Sequence, residues 1–405
     1  MSHPIRSAPR CAERARYARR VRHWGVALLL ALSVAAPAED GVTDTDVAIG
    51  QCAALDGPAA GLGTGVNKGL RASFDEINAK GGVAGRRLRL VAVDDGYDPQ
   101  RCLDGTLRLI EDDKVFALAG YVGTPTAKKV APLLEETQVP VVGLFTGAMF
   151  LRQPVQRQVF NIRASYNDET DALIEHLTKV QHAARVAVFY QNDAFGRSGL
   201  SGTEKALLKR GMQVVTKGSF ERNTLEVADG LAKIAEAKPD AVVMVGPYRP
   251  VAAFTTQARA AGLTATLGTI SFVGTENLIK ELGVVADGIV ITQVVPPPSE
   301  AGVPLVRDFQ AALRASFPDA SPTYVSLEGY VYGRVLALAL ERAGRDLRRA
   351  RLVDALESLT SADLGGLQVS FGKTNHQASN QVFLTKVVAG KAQTIVAGAP
   401  AAEPH

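Results

Sequence analysis

Cysteine, histidine and tryptophan are scarce: three, six and one among 405 residues, with aromatics at 6%. That scarcity removes most metal and nucleophile chemistry. No HExxH, P-loop or GxSxG pattern occurs, and Gly61, Gly63 and Gly65 lack the spacing of a dinucleotide fingerprint. His176 and His182 stand six apart, on different helix faces, so no zinc spacing arises. No catalytic residue, metal or cofactor is expected, and the chain reads as non-enzymatic.

A charge excess is missing too. The first 24 residues carry seven of the 45 basic residues and one of the 41 acids, so the remainder nets about −2. Nucleic acid is therefore not an expected partner. The apolar run at 25–34 is too short to cross ~30 Å of hydrocarbon. With arginines before it and Ala36-Pro37-Ala38 after it, residues 1–38 read as a signal peptide cleaved near Ala38. Arg19-Arg20 leaves the twin-arginine route open beside the general one. Cys11 would leave with the leader. An even pair, Cys52 and Cys102, would then reach an oxidising compartment and is expected as a disulfide.

What is present is a rhythm. Strands are expected at 47–50, 87–93, 115–119 and 139–143, with helices at 65–80, 99–113 and 126–137 between them. Asp98 and Pro99 supply an N-cap and first helical residue, and Gly81-Gly82 a stop. The rhythm returns with strands at 185–190, 214–215, 241–245 and 288–292 and helices at 199–209, 225–237 and 251–261. Two βαβ series imply an α/β fold of two parallel, doubly wound sheets. Residues 293–360 read as helical, at 305–317, 328–343 and 347–359. β-rich stretches follow at 367–371 and 381–388, so the chain should cross back between lobes. The last residues, 401–405, read as a frayed tail.

Parallel sheets bind ligands at the carboxyl ends of their strands. Four places there are candidates. The glycine-rich turn 56–63 lets a ligand approach the backbone. Around 120–126, Thr124 reads as an N-cap whose helix has free N–H groups for a carboxylate. The turn 145–148 adds the Thr146 hydroxyl, and Tyr248 follows a strand of the second half. Each also has a plain structural reading, as a turn, a cap or a half-buried tyrosine. Asp94 and Asp95 read as turn-fixing.

Taken in order, several segments carry a resemblance. They are Ile49-Gly50, Asp56-Gly57-Pro58, the run 74–82, Asp94-Asp95, 120–126, 145–148, Arg163-Ala164-Ser165, Phe195-Gly196-Arg197, Gln257-Ala258-Arg259 and 327–330. Together the chain resembles type I periplasmic solute-binding proteins of ABC importers, the Leu/Ile/Val-binding protein family, over nearly all of 44–390. The resemblance implies two Rossmann-like lobes joined by three crossovers, near 161–162, 293–294 and Ser361. Lobe 1 would be 39–161 plus 293–360, and lobe 2 would be 162–292 plus 361–400. It implies a periplasmic carrier with a small-molecule ligand (an amino acid or related carboxylate or amide) and ABC permease subunits in the inner membrane as partners. A monomer is the default expectation.

Carried over by position, the ligand set is Leu62, Tyr121, Gly123, Thr124, Thr146, Gly147, Ala148, Asp168, Phe195, Tyr248, Ser271 and Tyr330. Thr124 matches a hydroxyl that grips a ligand carboxylate. Asp168 matches an acid that meets the ligand amine in related receptor domains. Amino-acid binders place an acid where this chain has Ser271. Losing that partner would cost a buried ammonium about 2–5 kcal/mol. Either Asp168 or Glu328 substitutes, or the ligand lacks the amine. The rival functions are a periplasmic ligand sensor of a signalling system, an enzyme on the same lobes, and an interaction protein with a filled cleft. The carrier reading requires an empty gap between the halves, lined by unpaired backbone donors of the Thr124 and Thr146 turns.

Overall fold

The computed structural model describes residues 39–395. The expected leader with Cys11, and the tail 401–405, lie outside the described residues. The first half runs β1 (Asp46–Ala53), α1 (Ala60–Ala79), β2 (Arg87–Asp94), α2 (Pro99–Glu111), β3 (Ala117–Ala119), α3 (Thr124–Thr137), β4 (Val141–Val142) and β5 (Val159–Phe160). Its five strands are parallel, in the order β2-β1-β3-β4-β5. The second half runs α4 (Tyr166–Lys179), β6 (Val186–Gln191), α5 (Ala194–Leu208), β7 (Val214–Phe220), α6 (Ala228–Ala237), β8 (Ala241–Val245), α7 (Tyr248–Ala260), β9 (Thr266–Thr269), α8 (Thr275–Leu282) and β10 (Val290–Gln293). Its parallel core repeats the same order, β7-β6-β8-β9-β10. Apolar strands such as Ala241–Val245, fully buried along their length, fit a sheet covered on both faces.

Three helices then return to the first lobe: α9 (Pro304–Ser316), α10 (Tyr324–Ala343) and α11 (Arg349–Glu357). α10 lies so close along α1 that glycines are required. A Cβ on Gly69 would sit 2.0 Å from the Ser326 carbonyl oxygen, and one on Gly329 would sit 2.2 Å from that of Val66. This corrects the reading of the glycine-rich turn. α1 starts at Ala60, not 65, and Gly61 and Gly63 lie in its first turn. Gly63 serves close approach to the Ala54 carbonyl, not looseness.

A small hairpin follows, β11 (Ala362–Asp363) with β12 (Gln368–Val369), before β13 (Phe383–Val388) and β14 (Lys391–Thr394) complete the second sheet antiparallel to β10. The hairpin stays with lobe 1. Leu305 N–H donates to Gly365, Phe371 N–H to Leu359, and Phe160 packs edge-on against Phe371 at 5.4 Å. Further on, Ala378 N–H donates to Asn161, where the first crossover is expected.

The expected disulfide is not formed: Cys52 and Cys102 are free thiols, both fully buried. Cys52 Sγ lies 3.7 Å from both Asp95 Oδ2 and the Cys102 carbonyl oxygen. The Asp95 carboxylate, raised to about 6 by burial, sits with the two thiols in one buried cluster whose sulfur and carboxylate atoms lie within 4.8 Å of one another.

Candidate ligand-binding site

The two sheets present their carboxyl edges to one another, and the turns leaving those edges meet in a cleft. On the lobe 1 side, Gly123 is the N-cap of α3 at φ 115°, so Thr124 and Pro125 are the first helical residues. Glycine is needed there because a Cβ would come within 2.6 Å of the Tyr97 ring. Thr124 Oγ1 lies 2.6 Å from Thr146 Oγ1 and 3.4 Å from the Tyr166 hydroxyl, and all three side chains are buried. Gly147 makes this possible, since a Cβ there would meet the Tyr166 ring at 2.4 Å. Three hydroxyls from three separate turns thus converge at one point.

Aromatic rings surround that point. Phe272 of lobe 2 lies 5.3 Å from Phe145 and 6.1 Å from Tyr97 of lobe 1, and 4.3 Å from Phe195 of its own lobe. Tyr166 and Phe195 lie 5.4 Å apart. Direct bonds also cross between lobes. Gly61 N–H donates to the Tyr248 hydroxyl at 3.2 Å, and the Gln191 amide to the Tyr97 hydroxyl at 3.3 Å. Asn223 donates to the Gly96 carbonyl at 3.3 Å. This is a closed conformation, and it corrects the expectation of an open gap. The protein's own rings fill the centre, and the Thr124 and Thr146 hydroxyls satisfy one another. Entry of a ligand requires the lobes to part.

Beneath the rings lies a buried charge cluster. Arg163 stacks over Phe145 at 4.7 Å and donates Nη2 to Ser271 Oγ and to Glu169 Oε1, the latter at 3.3 Å. Its Nε lies 3.7 Å from Glu328 Oε2, and Nη1 has no hydrogen-bond partner. Glu169 Oε2 accepts from Ser271 N–H at 2.8 Å and Thr292 Oγ1 at 2.5 Å. Glu328 accepts from the Tyr332 hydroxyl at 2.7 Å. Burial raises Glu328 to about 7 despite the pull of Arg163. Burial alone would lower Arg163, but Glu328 and Glu169 raise it above its ordinary value. Arg163 therefore ties α10 of lobe 1 to α4 and the turn after β9 of lobe 2. Arg152, also buried, donates to the carbonyls of Ala148, Thr146 and Arg163 at 3.0, 3.0 and 3.2 Å. It fastens the back of the Thr146 turn.

Of the expected ligand set, Leu62, Gly123, Thr124, Thr146, Gly147, Ala148, Phe195, Tyr248 and Ser271 gather around the cleft. Leu62 reaches lobe 2, where its Cδ2 would touch a Cβ on Gly274 at 2.6 Å. Three others stand elsewhere. Tyr121 bonds Thr106 of α2 at 3.0 Å inside lobe 1. Tyr330 donates to Glu76 at 2.5 Å and accepts from Arg334 at 2.8 Å on the outer side of α10. Asp168 closes a capping box with Ser165 and accepts from Gln377 at 3.0 Å, so its charge is already committed. Glu328 is committed to Arg163 and Tyr332. Tyr97, Arg163, Tyr166, Glu169 and Phe272 were missed as site residues. Arg163 and Phe272 carry a signal in hindsight: a charge directly after a strand, and a large ring beside the Ser271 position.

Two similar α/β lobes closing on a shared cleft define the bilobal solute-binding class. The family model described as "Periplasmic binding protein" matches residues 46–392, and the chain belongs to that family. A possible leucine/isoleucine/valine-binding protein from Rhodopirellula baltica SH 1 is 36% identical, with a TM-score of 0.84 over 91% of this chain and 100% of that one. A substrate-binding periplasmic protein from Ralstonia solanacearum is 30% identical, with a TM-score of 0.82 over 86% of this chain and 100% of that one. Among curated relatives, Leu/Ile/Val-binding protein homolog 7 of Brucella abortus is 25% identical over 329 residues, 78% of this chain and 82% of that protein.

Proposed function

We propose that this protein is the substrate-binding component of an ABC importer, capturing a small molecule by lobe closure and presenting it to the permease. The observation that carries this reading is the cleft itself: buried hydroxyls of Thr124, Thr146 and Tyr166 ringed by aromatic side chains of both lobes. A ligand that touches both lobes stabilises only the closed state and so shifts the population towards it. The hydroxyls grip a polar head, and the rings cover an apolar body. No paired acid and base stand free beside the hydroxyls, which favours capture over turnover. The related proteins' names point the same way.

The test is a thermal-shift screen of residues 39–405 against amino acids, aromatic acids, short fatty acids and amides. A true ligand at a hundred times its Kd adds about 2.7 kcal/mol of stability. A screen in which no compound shifts the melting point counts against the carrier reading. Turnover of a shifting compound would replace it with an enzyme.

A further inference from the structure

We infer that the ligand of this cleft is a monocarboxylate with an apolar body and no ammonium group. The inference rests on the carrier reading and narrows it. Its first support is the fate of the acids. An α-amino acid needs a carboxylate for its ammonium, and the place beside the Arg163–Phe272 turn holds Ser271 instead. The acids nearest the hydroxyl cluster are already engaged. Glu169 accepts from Arg163, Ser271 and Thr292. Glu328 accepts from Tyr332, Asp168 from Ser165 and Gln377, and Asp193 from Phe195 N–H and Gln191. Glu276 stands apart at the foot of α10, where Oε1 accepts from Tyr324 N–H, Oε2 has no partner, and burial lifts the carboxyl to about 7.

The second support is the set of donors. Arg152 and Arg163 are both buried at the back of the hydroxyl cluster, and Arg163 keeps Nη1 unpaired. Arg163 is near enough to Tyr166 that its charge opposes the rise that burial imposes on that hydroxyl. An incoming carboxylate can take over the hydrogen bonds that Thr124, Thr146 and Tyr166 now share among themselves, with a guanidinium behind them. An incoming ammonium finds no free carboxylate beside those hydroxyls, where Arg163 already balances Glu169 and Glu328.

The third support is the way in. A groove of about 290 Å³ between the lobes has Tyr166 in its wall and is flanked by Lys128, Arg197 and Lys205, with no acid in its lining. Met149 and Phe150 supply its apolar surface. A cationic groove concentrates anions and speeds their capture. The rings of Phe145, Phe195 and Phe272, tilted by 41–44° and 4.3–5.3 Å apart, form a wall that a ring or branched alkyl group can enter by displacing Phe272.

Matched pairs test this. 3-Phenylpropanoate differs from L-phenylalanine, and 4-methylpentanoate from L-leucine, only by the ammonium. Titration calorimetry on residues 39–405 should show at least one des-amino acid binding on the order of 30-fold or more tighter than its amino acid, the scale of an unpaired buried charge. Ser271→Glu should narrow or reverse that ratio. Amino acids binding as tightly as their des-amino partners would overturn the inference and leave the carrier reading standing. So would binding of the neutral amides 3-phenylpropanamide or 4-methylpentanamide in preference to the acids. The thermal screen above addresses the carrier reading separately.

Discussion

Replacing Arg163 with methionine removes the charge on which the cleft floor depends. Methionine keeps much of the volume over Phe145 but leaves Glu169 and Glu328 facing each other without a cation. Both carboxylates are buried, at 0% and 2% exposure. Removing one member of such a cluster costs about 3–5 kcal/mol, because the remaining charges stay desolvated. An unfolding entropy of about 2.1 cal/mol/K per residue over the described chain converts that to a melting-point drop of roughly 4–7 °C. Urea denaturation followed by circular dichroism reads the loss directly. The loss should depend on pH. Glu328 has a pKa of about 7 even beside Arg163 and rises further without it. At pH 5 it is protonated in both proteins, and the deficit of Arg163→Met should shrink to about half of its value at pH 8. Adding Glu169→Gln and Glu328→Gln should recover most of the loss, since a neutral cluster no longer carries uncompensated charge. A deficit below 1 kcal/mol at pH 8, or one identical at pH 5 and pH 8, would refute this account of the floor.

Other changes probe other joints. Tyr248→Phe deletes the acceptor for Gly61 N–H across the lobes. It should weaken ligand binding by about 1 kcal/mol, roughly five-fold in Kd by calorimetry, with little change in the melting point of the unliganded protein. Glu276 is buried with a pKa raised from 4.5 to about 7, so its contribution is intact below pH 4.5 and is lost as pH rises through 7. Glu276→Gln should therefore gain about 2–3 kcal/mol at pH 8 and nothing at pH 4 in urea titrations. Gly69→Ala drives a methyl group to 2.0 Å from a backbone oxygen of α10. It should cost more than about 2 kcal/mol by the same assay, whereas Gly81→Ala, where a Cβ meets nothing, should lose only the strain of its positive φ.

The lobed α/β architecture was legible because β-branched runs, helical faces and caps such as Asp98 act locally. Asp98 indeed accepts from Gln100 and Arg101 N–H. The meeting of Thr124 and Thr146 was legible in part because both sit on turns that leave the carboxyl ends of parallel strands. Other features depend on partners distant in sequence. The first turn of α1 hid behind its glycines, whose reason is the backbone of Ala54 and of α10. Arg163 needs Glu328, 165 positions away, before its role appears. Tyr121 and Tyr330 share family motifs with the site but turn to Thr106 and Glu76. Asp168 looked free in sequence because a capping box and Gln377 claim it only once folded. The cysteine pair shows the same limit. Proximity was anticipated, but the neighbouring Asp95 carboxylate was not.

Closure of the lobes around a ligand is most directly measured between spin labels at Lys128→Cys and Lys205→Cys, which flank the groove from opposite lobes. Cys52 and Cys102 are fully buried and stay unlabelled. Pulsed dipolar spectroscopy should give a broad distribution without ligand, holding both the short distance of the closed lobes and longer ones, and a single narrow distance when the compound from the thermal screen saturates the protein. One unchanged distance in both states, with binding proven by calorimetry in the same sample, would contradict the closure mechanism.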